Sequence, residues 1–165
     1  MRFNRKLPAV LLITLFVLFF VVAASWAATP EELEEVVNLD VSLAVLDQAV
    51  QRGRAAILED ERFFVVEAIV STIAFVNADP ENPEDFVAEI EIVSGEWRSV
   101  RQVVAYRAIA RVTGPEFAAR IPTRPSRNPP PGVIEANSQV LVVGTIREVR
   151  GDVAVLDALY IRNLQ

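Results

Sequence analysis

The chain has 165 residues, no histidine, no cysteine and a net charge of −6. This composition excludes Ser-His-Asp triads, thiol nucleophiles, the usual zinc ligands and any disulfide, leaving carboxylate, arginine and hydroxyl chemistry. The length suits one domain that buries roughly two-thirds of its unfolded-chain surface, with no need of a metal to fold.

Arg2, Arg5 and Lys6 precede an uncharged apolar run from Leu7 to Ala28, a pattern that predicts export. Cleavage after Ala27 puts the small residues Ser25 and Ala27 where signal peptidase needs them, so residues 1–27 are expected to be a signal peptide. An uncleaved anchor is the alternative, because residues 7–28 as a helix would span about 33 Å at 1.5 Å per residue. The remainder is then expected in a periplasmic or extracellular setting, touching a membrane only through residues 7–28 if the leader is kept. Loss of the three leader cations moves the net charge from −6 to −9.

Residues 28–60 read as a helical region. Thr29, Pro30 and Glu32 form an N-cap, a first-turn proline and the distal residue of a capping box. Leu33, Val36 and Val37 begin a wide apolar arc that Leu43, Leu46 and Val50 continue. Asn38 to Asp40 divides the region into two helices or bends one, and Gly53 weakens its end. Residues 61–165 read as a β domain. Phe63 to Val76 is so dense in β-branched and aromatic residues that a long central strand is expected, apolar on both faces. Asn77 to Asp85, with two prolines and four acids, is a loop. Phe86, Ala88, Ile90 and Ile92 alternate with Val87, Glu89 and Glu91, which predicts a strand with one buried face, and Ser94-Gly95 is its expected turn.

Trp97 to Val112 is expected as the next strand, although its alanines and arginines would also suit a helix. Gly114-Pro115, a short helix near Glu116 to Arg120 and an extended proline-rich connector from Pro122 to Gly132 follow. The Pro122-to-Pro125 spacing superficially matches ligands of proline-reading modules, but a stiff connector is the simpler reading. Val140, Val142, Gly144 and Ile146 alternate along one strand of a final hairpin, and Val153, Val155, Leu159 and Ile161 along the other. A turn at Arg150-Gly151 would pair Val142 with Leu159 and put Gly144 opposite Asp157, where a bulge is expected.

Five strands in the order β-β-β-(helix)-β-β, with the glycine-interrupted run Val140-Leu141-Val142-Val143-Gly144-Thr145-Ile146-Arg147, resemble the oligonucleotide/oligosaccharide-binding (OB) fold, including exported bacterial versions. The resemblance covers roughly residues 63–162 and implies a mainly β protein, a small five-stranded Greek-key barrel behind an N-terminal helix. Should Trp97 to Val112 be helical, an α+β sandwich is the alternative. The resemblance also implies a ligand face over Phe86 to Val93, Trp97 to Val112 and the Asn77 to Asp85 loop.

Charge supplies the candidate site, since residues 28–97 carry 3 arginines against 17 acids, whereas residues 98–127 carry 7 arginines against Glu116 alone. The candidate binding face is Trp97, Arg98, Arg101, Arg107 and Arg111. The bland reading is that these arginines neutralise Glu67, Glu89 or Glu91 within the fold. A regular strand would turn Tyr106 away from Arg101, Arg107 and Arg111, leaving no aromatic among them, and the chain is acidic overall. Nucleic acid is therefore not expected. Asp60 and Glu61 form a carboxylate pair that solvation at an element boundary explains, and no phosphate loop is present. Asp79, Glu81, Glu84 and Asp85 could offer calcium oxygens, but Pro80 and Pro83 restrict the loop, so a solvated acidic segment is expected and no metal or cofactor. The expected function is a non-enzymatic cell-envelope module that recognises a protein or glycan. The alternative is a structural or assembly protein that oligomerises or docks through its N-terminal helix.

Overall fold

The computed structural model describes residues 30–124 and 127–164. The leader, with its cleavage site and apolar run, and Pro125 of the Pro122-to-Pro125 spacing lie outside them. No helix among the described residues is long and apolar enough to cross a membrane.

A short helix α1 (Pro30–Val36) exposes Leu33 and Val36. The expected break at Asn38 to Asp40 is present, and the chain there forms β1 (Val37–Asn38), a two-residue parallel addition beside Phe63 and Phe64. Helix α2 (Leu43–Arg52) starts at Ser42, whose hydroxyl accepts the Val45 N–H at 3.4 Å, and stops at Gly53, which takes the left-handed conformation at φ 61°. A four-residue helix α3 (Ala55–Leu58) leads into the barrel.

The five barrel strands are β2 (Phe63–Asn77), β3 (Val87–Ser99), β4 (Gln102–Thr113), β5 (Gln139–Arg150) and β6 (Val153–Asn163). β2 pairs antiparallel with β3, β3 with β4, β5 with β6 and β5 with β2, while β4 and β6 run parallel. The sheet thus closes in the order β2-β3-β4-β6-β5-β2. That strand order, with a short helix between β4 and β5, is the OB barrel. Residues 97–112 form strand and a turn rather than a helix, so the α+β sandwich is set aside.

Alternation fills the interior. Phe64, Val66, Ile90, Ile92, Val142 and Leu156 are fully or almost fully buried in one cluster. α2 adds Leu43 and Leu46 to this cluster. At the opposite end, Gly114 opens helix α4 (Pro115–Ala118), and Phe117, Ile121 and Ile134 are buried there.

Several details differ from the sequence expectation. β2 is not buried on both faces, because Phe64, Val66, Ala68 and Val70 point inward while Glu67 and Ile69 are exposed and the strand beyond Val70 is largely open. A barrel strand has one interior face, and only β3 accompanies the far half of β2. Ser94-Gly95 is not a turn; β3 runs through it, with Gly95 opposite Ala105, and turns at Val100-Arg101. Trp97 to Val112 is therefore two strands, since Trp97, Arg98 and Ser99 still belong to β3. The last hairpin turns at Gly151-Asp152, with Gly151 at φ 66°, so Val142 faces Ile161 rather than Leu159. The expected irregularity at Gly144 exists as a register shift that skips Leu159, with Val143 opposite Tyr160 and Gly144 opposite Ala158 rather than the expected Asp157.

Asp60 fastens β1 to the start of β2. Its carboxylate accepts from Arg62 at 2.7 Å and from the Asn38 amide at 2.8 Å. These partners, the Arg62 side chain foremost, hold the Asp60 carboxyl well below the usual range against the opposing effect of burial. A depressed folded-state pKa stabilises above the unfolded value of about 4 and is lost as pH falls through the folded value. Asp60→Asn is expected to melt below wild type at pH 7, with the difference narrowing under acid titration below about pH 4. Val142→Asp puts a carboxylate where wild type is 0% exposed and should abolish cooperative unfolding, at a cost of several kcal/mol. A circular-dichroism melt matching wild type would show that β5 does not form the core.

Candidate ligand-binding hairpin

β3 and β4 outrun their neighbours. β2 leaves β3 at Val93, and β6 joins β4 only from Ala108, so residues 94–106 pair solely with each other and project from the barrel end. The register holds without a shift from Val87 to Trp97, so odd-numbered residues of both strands share the outward face. On that face Trp97 stands opposite Val103, Gly95 opposite Ala105, Val93 opposite Arg107, and Glu89 opposite Arg111. Trp97 is 72% exposed and Val103 50%, an apolar step next to a shallow strip of small residues.

The structure divides the five expected site residues. Trp97, Arg107 and Arg111 share the outward face, Arg101 lies in the tip turn, and Arg98 reaches the opposite face. The expected row of Arg101, Arg107 and Arg111 along one strand is corrected accordingly, because the turn separates Arg101 from the other two. On the inner face the Tyr106 hydroxyl donates to Glu96 at 2.8 Å and accepts from Arg98 at 3.2 Å. Tyr106 itself is 3% exposed, and its hydroxyl, helped by Glu96, raises the pKa of Arg98 further. This bridge flanks Trp97 on both sides in sequence and braces the overhang. Next to it, Leu43, Glu67, Gly95 and Tyr106 help to line a groove of about 350 Å³.

The outward arginines closer to the barrel meet their own carboxylates. Arg107 pairs with Asp152 at 2.6 Å, and Arg111 lies 3.9 Å from Glu89. Glu89 is held more closely by Arg150, at 2.9 Å, which also meets Glu148 at 2.8 Å. Hydrogen bonding from Arg150 is the main cause of the lowered Glu89 pKa, with Arg111 adding charge and burial opposing, and the same bond keeps Arg150 strongly protonated. Internal neutralisation thus holds for Arg111 with Glu89, whereas Glu91 accepts from Thr72 and Glu67 from Gln139. Arg101 forms no ion pair among the described residues.

The loop that the resemblance joined to this face sits at the other end of β3. Pro80, Pro83, Phe86, Pro115, Ile121 and Pro122 help to line a separate cleft of about 770 Å³ there. Asp79 folds onto its own loop, accepting from the Glu81 N–H at 2.9 Å and from Asn82, which lowers its pKa. Sequence reasoning missed Val103, Asp152 and the Glu96–Tyr106–Arg98 bridge. Misplacing the turn hid the first and third, and nothing in the sequence aligned Asp152 with Arg107.

No family model matches the sequence, and no curated protein sequence matches it. Among solved structures the chain is similar to the small single-stranded DNA-binding protein of Streptomyces coelicolor, at 13% identity and TM-score 0.41, over 64% of this chain and 94% of that one. It is also similar to PriB of Ralstonia solanacearum, at 10% identity and TM-score 0.38, over 61% of this chain and 96% of that one. A second PriB structure gives 10% identity and TM-score 0.36, over 62% and 97%. The expectation of a module that recognises an envelope protein or glycan, with nucleic acid set aside, is corrected. The first of these structures is named for single-stranded DNA binding. One of the two grounds for dismissing nucleic acid also goes, since Trp97 supplies the outward aromatic that Tyr106 does not, while the overall acidity stands.

Tyr106→Phe removes the hydroxyl that joins Glu96 to Arg98 and should destabilise the overhang by about 1–2 kcal/mol. Amide hydrogen exchange is expected to accelerate in residues 94–106 and to stay unchanged at Val142 and Leu156. Uniform acceleration would mean that the hydroxyl supports the whole barrel instead.

Proposed function

We propose that the protein is a non-enzymatic module that binds single-stranded nucleic acid on the outward face of the β3–β4 hairpin. The observation that carries this reading is Trp97, a large aromatic ring left 72% exposed on a braced strand, beside Arg101 in the tip turn. An exposed indole on a strand can offer its π-face to a base, and stacking of this kind tolerates any sequence. Val103 widens the platform, and Gly95 with Ala105 lets a strand lie close to the sheet. A duplex keeps its bases stacked inside and cannot use such a ring without opening.

The electrostatic part is local. The chain is acidic as a whole, but residues 94–106 carry Arg98 and Arg101 against Glu96 alone, so a phosphate meets positive potential only near the tip. The non-enzymatic side of the proposal rests on the missing histidine and cysteine and on outward acids that are bonded to arginines or to Thr72.

Fluorescence anisotropy with a labelled oligothymidylate at low salt tests the reading. Wild type should bind, and Trp97→Ala should weaken binding by roughly 5- to 150-fold, corresponding to about 1–3 kcal/mol for one stacked base. Trp97→Phe should retain most of the affinity. Absence of wild-type binding, or equal binding by Trp97→Ala, would refute the proposal.

A further inference from the structure

We infer that Asp152 is a specificity-determining residue that ends the nucleic-acid site at the hairpin, by holding Arg107 in an ion pair and so withholding it from a bound phosphate. The inference rests on the proposed strand-binding reading and concerns how far along the sheet that strand extends. Its geometric basis is the 2.6 Å contact between Arg107 and Asp152, at the point where the overhang meets the barrel.

Arg107 lies four residues beyond Val103 on β4, about 13 Å from the Trp97 platform at roughly 3.3 Å per residue. That is within reach of the next few phosphates of an extended strand, so a free Arg107 would lengthen the site. Asp152 prevents this from a turn fixed in place. Gly151 takes φ 66° beside it, and the Gln51 amide of α2 donates to the Asp152 carbonyl at 3.3 Å. Beyond Arg107, Glu89 gathers Arg150 and Arg111, and Glu91 is held by Thr72, so the sheet offers carboxylates where a longer strand would bring phosphates. The bound segment is therefore short and neutralises one or two phosphates, chiefly at Arg101.

Each phosphate neutralised on a single strand contributes about −0.7 to the slope of log affinity against log salt. Wild-type protein titrated with oligothymidylate should give a slope of about −1.4 or shallower, unaffected by Arg107→Gln. Asp152→Asn should bind about three- to fivefold tighter at low salt and steepen the slope by about 0.7. Adding Arg107→Gln to Asp152→Asn should remove both gains. Glu81→Gln, an equal charge change in the loop at the far end of β3, should alter neither, and melting curves confirm that each variant is folded. A wild-type slope near −3 that Arg107→Gln reduces, or an Asp152→Asn variant indistinguishable from Glu81→Gln, would overturn the inference while leaving strand binding intact. Wild type that binds no oligonucleotide would sink the underlying reading, and this inference with it.

Discussion

Closure of the sheet around Gly144 is the constraint from which the rest of the molecule follows. A five-stranded barrel has a narrow interior, and β5 must pair on one side with β2 and on the other with β6. Gly144 lies in both ladders, opposite Phe64 and opposite Ala158. A Cβ there would stand 3.0 Å from the Ala158 Cα and closer still to the Asp157 backbone carbonyl. The missing side chain lets β6 approach, and the fully buried Phe64 ring fills the core nearby. The register shift at Gly144 adds the local bend that closure needs.

Closure also determines where the structure can project. Strands that end together leave a plain rim, but β3 and β4 continue past the last pairs made by β2 and β6. The overhang has two strand edges, which unprotected would invite pairing with another chain. Where β6 falls away from β4, the Arg107 N–H donates instead to the Asp47 carboxylate of α2 at 3.3 Å. α2 therefore has two tasks: Leu43 and Leu46 complete the core, and Asp47 covers the first open position of the β4 edge. The Tyr106 hydroxyl braces the inner side. A hairpin held in this way keeps its backbone in place at Trp97.

The barrel was legible because alternation is a local signal. Phe86, Ala88, Ile90 and Ile92 announce their buried face directly, as do Val140 and Val142, and the element order then leaves few topologies. The turns were less legible, since glycine serves more than one purpose. Gly95 reads as a turn residue but lies in extended strand, whereas the actual tip, Val100-Arg101, has no turn signature. That six-residue displacement moved Trp97 and Arg98 from one strand to the other. It concealed the pairing of Trp97 with Val103 and separated Arg98 from its true partners, Glu96 and Tyr106. The ion pairs were less accessible still, because Arg107 and Asp152 lie 45 positions apart and meet only through the parallel β4–β6 ladder.

That ladder also explains how an acidic chain can hold a positive tip. Sequence segregation alone suggests one basic stripe from Arg98 onward, but folding redistributes it. β6 and the turn before it bring Asp152 and Asp157 alongside β4 and β5, where they take up Arg107 and Arg147, and β3 offers Glu89 to both Arg111 and Arg150. The exposed pairs among these, Arg107–Asp152 and Arg147–Asp157, add little stability, each about 0–1 kcal/mol. Their larger effect is on the field outside the protein, because a paired arginine presents a dipole whose potential falls off faster than that of a free charge. The outer barrel wall is thereby muted, although it carries several of the arginines. The hairpin tip escapes only because residues 99–103 run beyond every acid that β5 and β6 bring alongside. The length of the overhang, rather than the number of arginines in the segment, is what leaves Arg101 available next to Trp97.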